Sequence, residues 1–105
     1  MPSEGRKDDK DKLRYDLIPP QPLEALAQVY TVGAAKYEDR NWEKGIAYLR
    51  IYAAMLRHLQ AWRMGEDVDT DNLQFHLASV AWGAFALLEF MHTHPEMDDR
   101  GGDNA

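Results

Sequence analysis

Apolar residues recur along this chain at the three- and four-residue spacing of a single helix face, in three stretches separated by polar segments. The first begins at Pro22, a residue that can open a helix but not continue one. It carries Leu23, Leu26, Tyr30 and Ala34 on one side as far as about residue 37. The second runs from about residue 47 to residue 64, with Leu49, Tyr52, Ala53, Leu56, Leu59 and Gln60 on one face. The third opens at Thr70 or Asp71, either of which makes a good N-cap, and reaches about residue 91. It is the longest stretch, and Trp82 and Phe85 widen its apolar face until little of it is polar. A helix of that kind is buried or forms an oligomer interface. With no alternating run and no internal repeat, the expected class is all-α: a small bundle of three main helices, associating into a dimer or larger.

The segments between these stretches read differently. Residues 1–12 are almost wholly polar and cannot bury enough apolar surface to offset the entropy of ordering, so they predict a flexible arm. A helical domain over residues 13–94 follows, and an acidic, flexible tail over residues 95–105. His92 and His94 fall at the fraying end of the third helix, outside any expected site. Gly33, inside the first helix, is read as a point of close helix packing.

At 105 residues the chain is one domain, or one protomer of an oligomer. A net charge of −6 argues against a nucleic-acid surface, which would show a basic face, but it leaves a nucleotide bound with a metal ion open. The absence of cysteine removes disulfides and thiolate metal sites. No apolar run approaches the ~18 residues of a membrane span, and the N-terminus lacks a signal-peptide core. The expected location is the cytoplasm, with no membrane partner.

Candidate chemistry concentrates between the second and third helices. Glu66, Asp67, Asp69 and Asp71 lie within six residues, flanked by His58 on one helical arm and His76 on the other. A tight antiparallel hairpin brings such arms together at its turn. Carboxylate oxygens and imidazole nitrogens suit a divalent ion such as Mg, Mn or Zn. The alternative is that the acids only favour the dipole of the following helix and keep the turn soluble. His58 shares its stripe with the small residues Ala54, Ala61 and Gly65, and His76 shares a face with Ser79 and Gly83. A lone histidine on such a face is more often a packed, hydrogen-bonded residue than a ligand. Residues 36–45 hold Lys36, Tyr37, Arg40, Asn41, Trp42 and Lys44, a set that can hold phosphate and stack a base, or simply form a surface loop pinned by one buried tryptophan.

Several blocks in register then resemble a known family. Lys12-Leu13-Arg14-Tyr15-Asp16-Leu17-Ile18-Pro19-Pro20, Gly33-Ala34-Ala35-Lys36-Tyr37, Arg40-Asn41-Trp42-Glu43-Lys44-Gly45, Arg57-His58, Gly65-Glu66-Asp67-Val68-Asp69 and His76-Leu77-Ala78 follow in order. Together, over about residues 12–89, they resemble the mostly phage-encoded dATP/dGTP diphosphohydrolase N-terminal family, itself similar to the all-α MazG-like nucleotide pyrophosphohydrolases. The resemblance implies hydrolysis of a purine deoxynucleoside triphosphate on a divalent metal, Mg or Mn, in the control of phage nucleotide pools. The residues themselves then offer a metal site drawn from His58, Glu66, Asp67, Asp69 and His76, with Glu66, Asp67 and His76 as the catalytic candidates. Lys36, Arg40, Lys44 and Arg57 would contact phosphate, Tyr37 or Trp42 would stack on the base, and Asn41 would read a purine edge.

The chain departs from the MazG-like pattern at one place. Where those enzymes carry Glu-Glu-x-x-Glu and Glu-x-x-Asp runs, this sequence has Arg57-His58-x-x-Ala61 and His76-x-x-Ser79. Two readings follow: a metal site rebuilt from histidines and loop acids, or a non-catalytic protein that binds a nucleotide, such as a phage sponge for a signalling nucleotide. A purely structural helical oligomer is the third.

Overall fold

Pro20 and Pro22 occupy the first turn of helix α1 (Pro20–Lys36), where a missing backbone N–H leaves no hydrogen bond unmade. The computed structural model describes residues 3–101 and adds helices α2 (Tyr48–Arg63) and α3 (His76–Thr93). Short 3-10 turns lie at Tyr15–Leu17, Asn41–Lys44 and Pro95–Met97. The described residues contain no strand, only one isolated antiparallel bridge between Val68 and Phe75, so the class is all-α. Residues 1–2 of the expected arm and 102–105 of the expected tail lie outside the described residues. No helix among those described is long and apolar enough to cross a membrane.

α3 is the middle element, and both α1 and α2 pack on it rather than on each other. Toward α2 it buries His76, Ser79, Gly83, Ala86 and Phe90, a three-four spacing that keeps one stripe against a neighbouring helix. Tyr48, Ile51, Ala86 and Phe90 form the buried centre, with Trp42, Met55 and Trp82 packed around it. Trp42 fills the gap between α1 and α3, its ring centroid 5.9 Å from Tyr30, 6.3 Å from Trp82 and 5.8 Å from Phe90.

The close-packing glycine is Gly83 and not Gly33. A Cβ on Gly83 would fall 2.5 Å from Met55 Cγ and 3.3 Å from a methyl of Ile51, whereas nothing lies within 4 Å of one on Gly33. The repeat gives both glycines a helical address, but only tertiary contact separates the one facing a neighbour from the one facing open space.

Cap to cap, α3 begins four or five residues later than its apolar pattern predicts. Asp69 Oδ1 accepts the backbone N–H of Asp71 at 2.9 Å, and Asn72 Oδ1 accepts that of Gln74 at 2.9 Å. Short polar side chains thereby offer the backbone an alternative to the helix. The amide of Leu73, a residue held in the left-handed region at φ 63°, donates to the Asp69 carbonyl, and the Asp69 amide donates to the Gln74 carbonyl. Thr70 and Asp71 are therefore turn residues, and Phe75 stands at the N-cap without a capping side chain.

At the opposite end of the bundle the chain beyond α3 folds back. Tyr48 Oη donates to the carbonyls of Phe90 (3.0 Å) and His94 (3.1 Å). His94 Nε2 donates to the Glu43 carbonyl at 2.7 Å, and its Nδ1 lies 2.9 Å from Glu96 Oε2. Those two partners raise its pKa above the ordinary histidine value. Asp99 Oδ1 accepts the Leu49 N–H at 3.0 Å, capping the first turn of α2. His94 is thus a bridge between segments rather than a frayed end.

The two glycines give a direct contrast. Gly83→Ala is expected to destabilise the chain by about 1–3 kcal/mol through overpacking against Met55. Gly33→Ala should be neutral or stabilise by up to about 1 kcal/mol through helix propensity. Urea unfolding midpoints of the two variants beside the parent chain check both.

Candidate functional site

The turn between α2 and α3 holds the two expected histidines against each other. His58 lies on α2 about one and a half turns from its end, and His76 is the first residue of α3. Their Nδ1 atoms stand 2.8 Å apart, with ring centroids 5.1 Å apart. The backbone N–H of His76 donates to the Asp67 carbonyl at 3.0 Å, which fixes where α3 starts and hence where this ring sits.

The network assigns the protons. Glu66 Oε1 lies 2.6 Å from His76 Nε2, and an ionised carboxylate can only accept, so Nε2 carries hydrogen. The other nitrogen of a neutral His76 then presents a lone pair, and His58 Nδ1–H donates to it. Burial is the first cause that holds the His58 pKa below the ordinary value; the neighbouring His76 and Arg57 add to it, and Asp69 opposes it. His76 is almost wholly buried, while the Glu66 side chain is about half exposed at 47%.

One nitrogen of each histidine and one oxygen of Asp69 converge within 4.8 Å of one another. Asp69 Oδ2 is 3.9 Å from His58 Nδ1. Glu66 does not join this set, because it occupies the far nitrogen of His76. That is the position of a carboxylate that orients a liganding imidazole and fixes its tautomer. Asp67 contributes through its backbone carbonyl, and the residue borders an apolar groove with Trp62 and Phe75. Of the five expected ligands, then, the structure gathers His58, Asp69 and His76, sets Glu66 behind them and leaves Asp67 apart.

The seven expected nucleotide contacts divide as well. Tyr37, Arg40, Asn41 and Trp42 line a cleft of about 660 Å³ between the end of α1, the 3-10 turn after it and Trp82 of α3. Lys36, Lys44 and Arg57 do not line it. Lys36 sits over the Tyr37 ring, 5.2 Å from its centroid, and Lys44 pairs with Glu38. Arg40 is 3.5 Å from Glu43 and adopts a left-handed backbone at φ 57°. Tyr30 and Trp82 add aromatic lining that the sequence did not single out, since both read as helix core. Glu38, Asp39 and Glu43 also face the cleft, so it is amphoteric rather than basic. His76 and Trp82 are six residues apart on α3, which places cleft and imidazole pair about 9 Å apart along the axis and about 120° apart around it.

Comparison with known proteins matches residues 2–100 to the family described as dATP/dGTP diphosphohydrolase, N-terminal. The chain is also 31% identical over 96 residues to a protein of Salmonella phage PMBT28 named dATP/dGTP diphosphohydrolase. The alignment covers 91% of this chain and 33% of the phage protein, so the chain spans about a third of the length of that curated relative. No solved structure matches the chain.

The histidine pair makes a prediction about pH. Because the folded-state pKa of His58 is lowered, folding binds fewer protons there than the unfolded chain does. Its stabilising contribution is present above about pH 6.5, the unfolded value, and is lost as pH falls below it. Nitrogen-detected NMR of the imidazoles should give His58 a titration midpoint below 6.5 and place the His76 proton on Nε2. A His58 midpoint above 6.5 would contradict the assigned network.

Proposed function

The chain belongs to the dATP/dGTP diphosphohydrolase N-terminal family, and on that premise we propose that it is the nucleotide-processing helical unit of a metal-dependent hydrolase of purine deoxynucleoside triphosphates. It would act on phage nucleotide pools in the host cytoplasm. The observation that carries this reading is the convergence of His58, His76 and Asp69, with Glu66 holding the far nitrogen of His76.

The donor set fits a divalent ion: two imidazole nitrogens and a carboxylate oxygen, backed by an orienting carboxylate. Nitrogen donors favour Mn over Mg, which prefers an all-oxygen shell. When bound, such an ion would supply charge to offset the triphosphate and lower the pKa of the attacking water. The protein's own part is positional. Glu66 keeps His76 in one tautomer, and the buried start of α3 keeps its ring from turning away. Arg57, adjacent to His58 and exposed, is the cation nearest in sequence to the imidazole pair and the best placed to meet phosphate. Tyr37, Arg40 and Asn41 offer the cleft a ring face, a guanidinium and an amide edge for a base.

A second reading has its own support. The aromatic cleft and the imidazole pair occupy different faces of α3, and the acidic runs of MazG-like enzymes are replaced by Arg57-His58 and His76. Both features suit a protein that binds a nucleotide without turning it over.

The deciding experiment incubates the chain with a panel of nucleoside and deoxynucleoside triphosphates plus Mn or Mg and separates the products by chromatography. dATP or dGTP should yield the monophosphate, faster with Mn. Nucleotide that co-purifies unchanged would select the binding reading, and no binding at all would remove both. His76→Ala and Asp69→Asn should abolish turnover and the metal-induced rise in melting temperature while leaving the helical circular dichroism intact. Glu66→Gln should weaken metal affinity about 10–100-fold, as expected of an orienting carboxylate. Asp67→Asn should behave as the parent chain.

A further inference from the structure

We propose that His94 is a positioning residue for the aromatic cleft: its ring, bonded through both nitrogens, ties the turn that carries Trp42 to the end of α3. The wall of the cleft then loosens as that ring gives up a proton. The inference concerns how the cleft is built and not what it holds, so it stands apart from the functional reading above. Its starting point is how little else fastens the turn. Arg40, Asn41, Trp42, Glu43 and Ile46 line the cleft from this one segment. Its backbone bonds are local: the Asn41 N–H donates to the Glu38 carbonyl, that of Glu43 to Arg40 and that of Gly45 to Trp42. Its ion pairs, Arg40 with Glu43 and Lys44 with Glu38, are local too. Among the described residues, the 2.7 Å bond from His94 Nε2 to the Glu43 carbonyl is the one hydrogen bond that joins residues 38–46 to another part of the chain.

Packing puts the ring where it can act on that wall. A Cβ on Gly45 would fall 3.1 Å from His94 Cγ and Nδ1 and 3.2 Å from Met97 Cε, so the imidazole lies directly against the turn. The ring meets Phe90 edge-on, with 5.5 Å between centroids, and Phe90 in turn packs against Trp42 at 5.8 Å. His94 is itself held from behind. Its backbone N–H donates to the Phe90 carbonyl at 2.8 Å, and its own carbonyl accepts from Tyr48 Oη at 3.1 Å and from the Met97 N–H at 3.0 Å. Trp42 is therefore fixed from two directions, by Phe90 in the core and by His94 through the carbonyl of the next residue.

The partners also decide the protonation state. A carbonyl oxygen and a carboxylate oxygen can only accept. With the Glu43 carbonyl 2.7 Å from Nε2 and Glu96 Oε2 2.9 Å from Nδ1, the ring satisfies both only as the imidazolium. The bond to Glu96 first, and the Glu43 carbonyl second, raise its pKa above the ordinary histidine value, with burial opposing them. The other charged and titratable groups around it have partners of their own. The Glu43 carboxylate lies 3.5 Å from Arg40, Arg100 pairs with Asp98 over the Tyr48 ring, and the Tyr48 hydroxyl donates to carbonyls. Phe90, Gly45 and Met97 carry no charge. Loss of the proton leaves a lone pair facing an acceptor, whichever nitrogen keeps its hydrogen. Because the folded-state pKa is raised, the bridge contributes fully below about pH 6.5 and is lost as pH rises through the folded value. A ligand held in the cleft would accordingly bind more weakly above that midpoint.

Heteronuclear NMR of the purified chain, without ligand, tests this through the imidazole and indole signals. The His94 ring should titrate with a midpoint above about 6.5, and the indole N–H signal of Trp42 should move with that same midpoint. The signal of Trp62, on α2 and outside the cleft, should not share it. Glu96→Gln removes the charge that favours the imidazolium but keeps an acceptor, on a side chain that is mostly exposed. It should draw both midpoints down together, toward about 6.5. His94→Gln should abolish the Trp42 movement. A Trp42 signal that stays flat while His94 titrates overturns the proposal, as does a His94 midpoint at or below about 6.5. A Trp42 midpoint that fails to follow His94 in Glu96→Gln also overturns it, since the ring would then be a fold contact with no hold on the cleft. Should His94→Gln fail to fold, the Glu96→Gln comparison still decides. With no nucleotide present, the outcome is independent of whether the cleft binds one.

Discussion

At Gly83 the two central helices approach so closely that a single methyl group would collide with Met55. That separation sets the rest of the bundle. It lets α2 and α3 share a seam of Ser79, Gly83 and Ala86, none larger than serine, while Phe90 and Tyr48 fill the wider end. It also holds His58 and His76 at hydrogen-bond distance where the seam ends. Had the seam been lined by leucines the helices would stand further apart, and the imidazoles would need water between them. The chemistry of the turn is in this sense a product of packing several turns away.

Much of the fold was legible because helical periodicity survives in a short chain. α1 and α2 fall within a residue or two of their expected bounds, since Pro20, Pro22 and the apolar repeats act locally. The start of α3 was not legible: Asp69 and Asn72 have side chains short enough to bond the turn backbone, and no repeat records that competition. The choice between Gly33 and Gly83 likewise depended on which neighbour each faces. At the end of α3, the role of His94 rests on the Glu43 carbonyl, 51 residues away in the chain, a partner that no local pattern reveals.

The candidate site was half legible on the same grounds. Two histidines flanking an acidic turn announce convergence, and His58, Asp69 and His76 do converge. Composition could not rank the acids, because Glu66 and Asp67 differ only in where the turn points them. One reaches His76 Nε2, and the other lends its backbone carbonyl and stays outside the His58, Asp69 and His76 group. The polar loop divided too: residues at its centre line the aromatic cleft, while Lys36 and Lys44 fold over neighbours at its ends.

The antiparallel pairing of α2 and α3 also gives the chain a direction of assembly. His58 and His76 are 18 residues apart, whereas Tyr48 and Phe90 are 42 apart. Closing the longer loop from an open chain costs about 0.7 kcal/mol more entropy than closing the shorter one. Loop entropy thus favours closing the histidine turn ahead of the Tyr48 end, so the imidazole pair sits where the chain pays least to bring its two helices together.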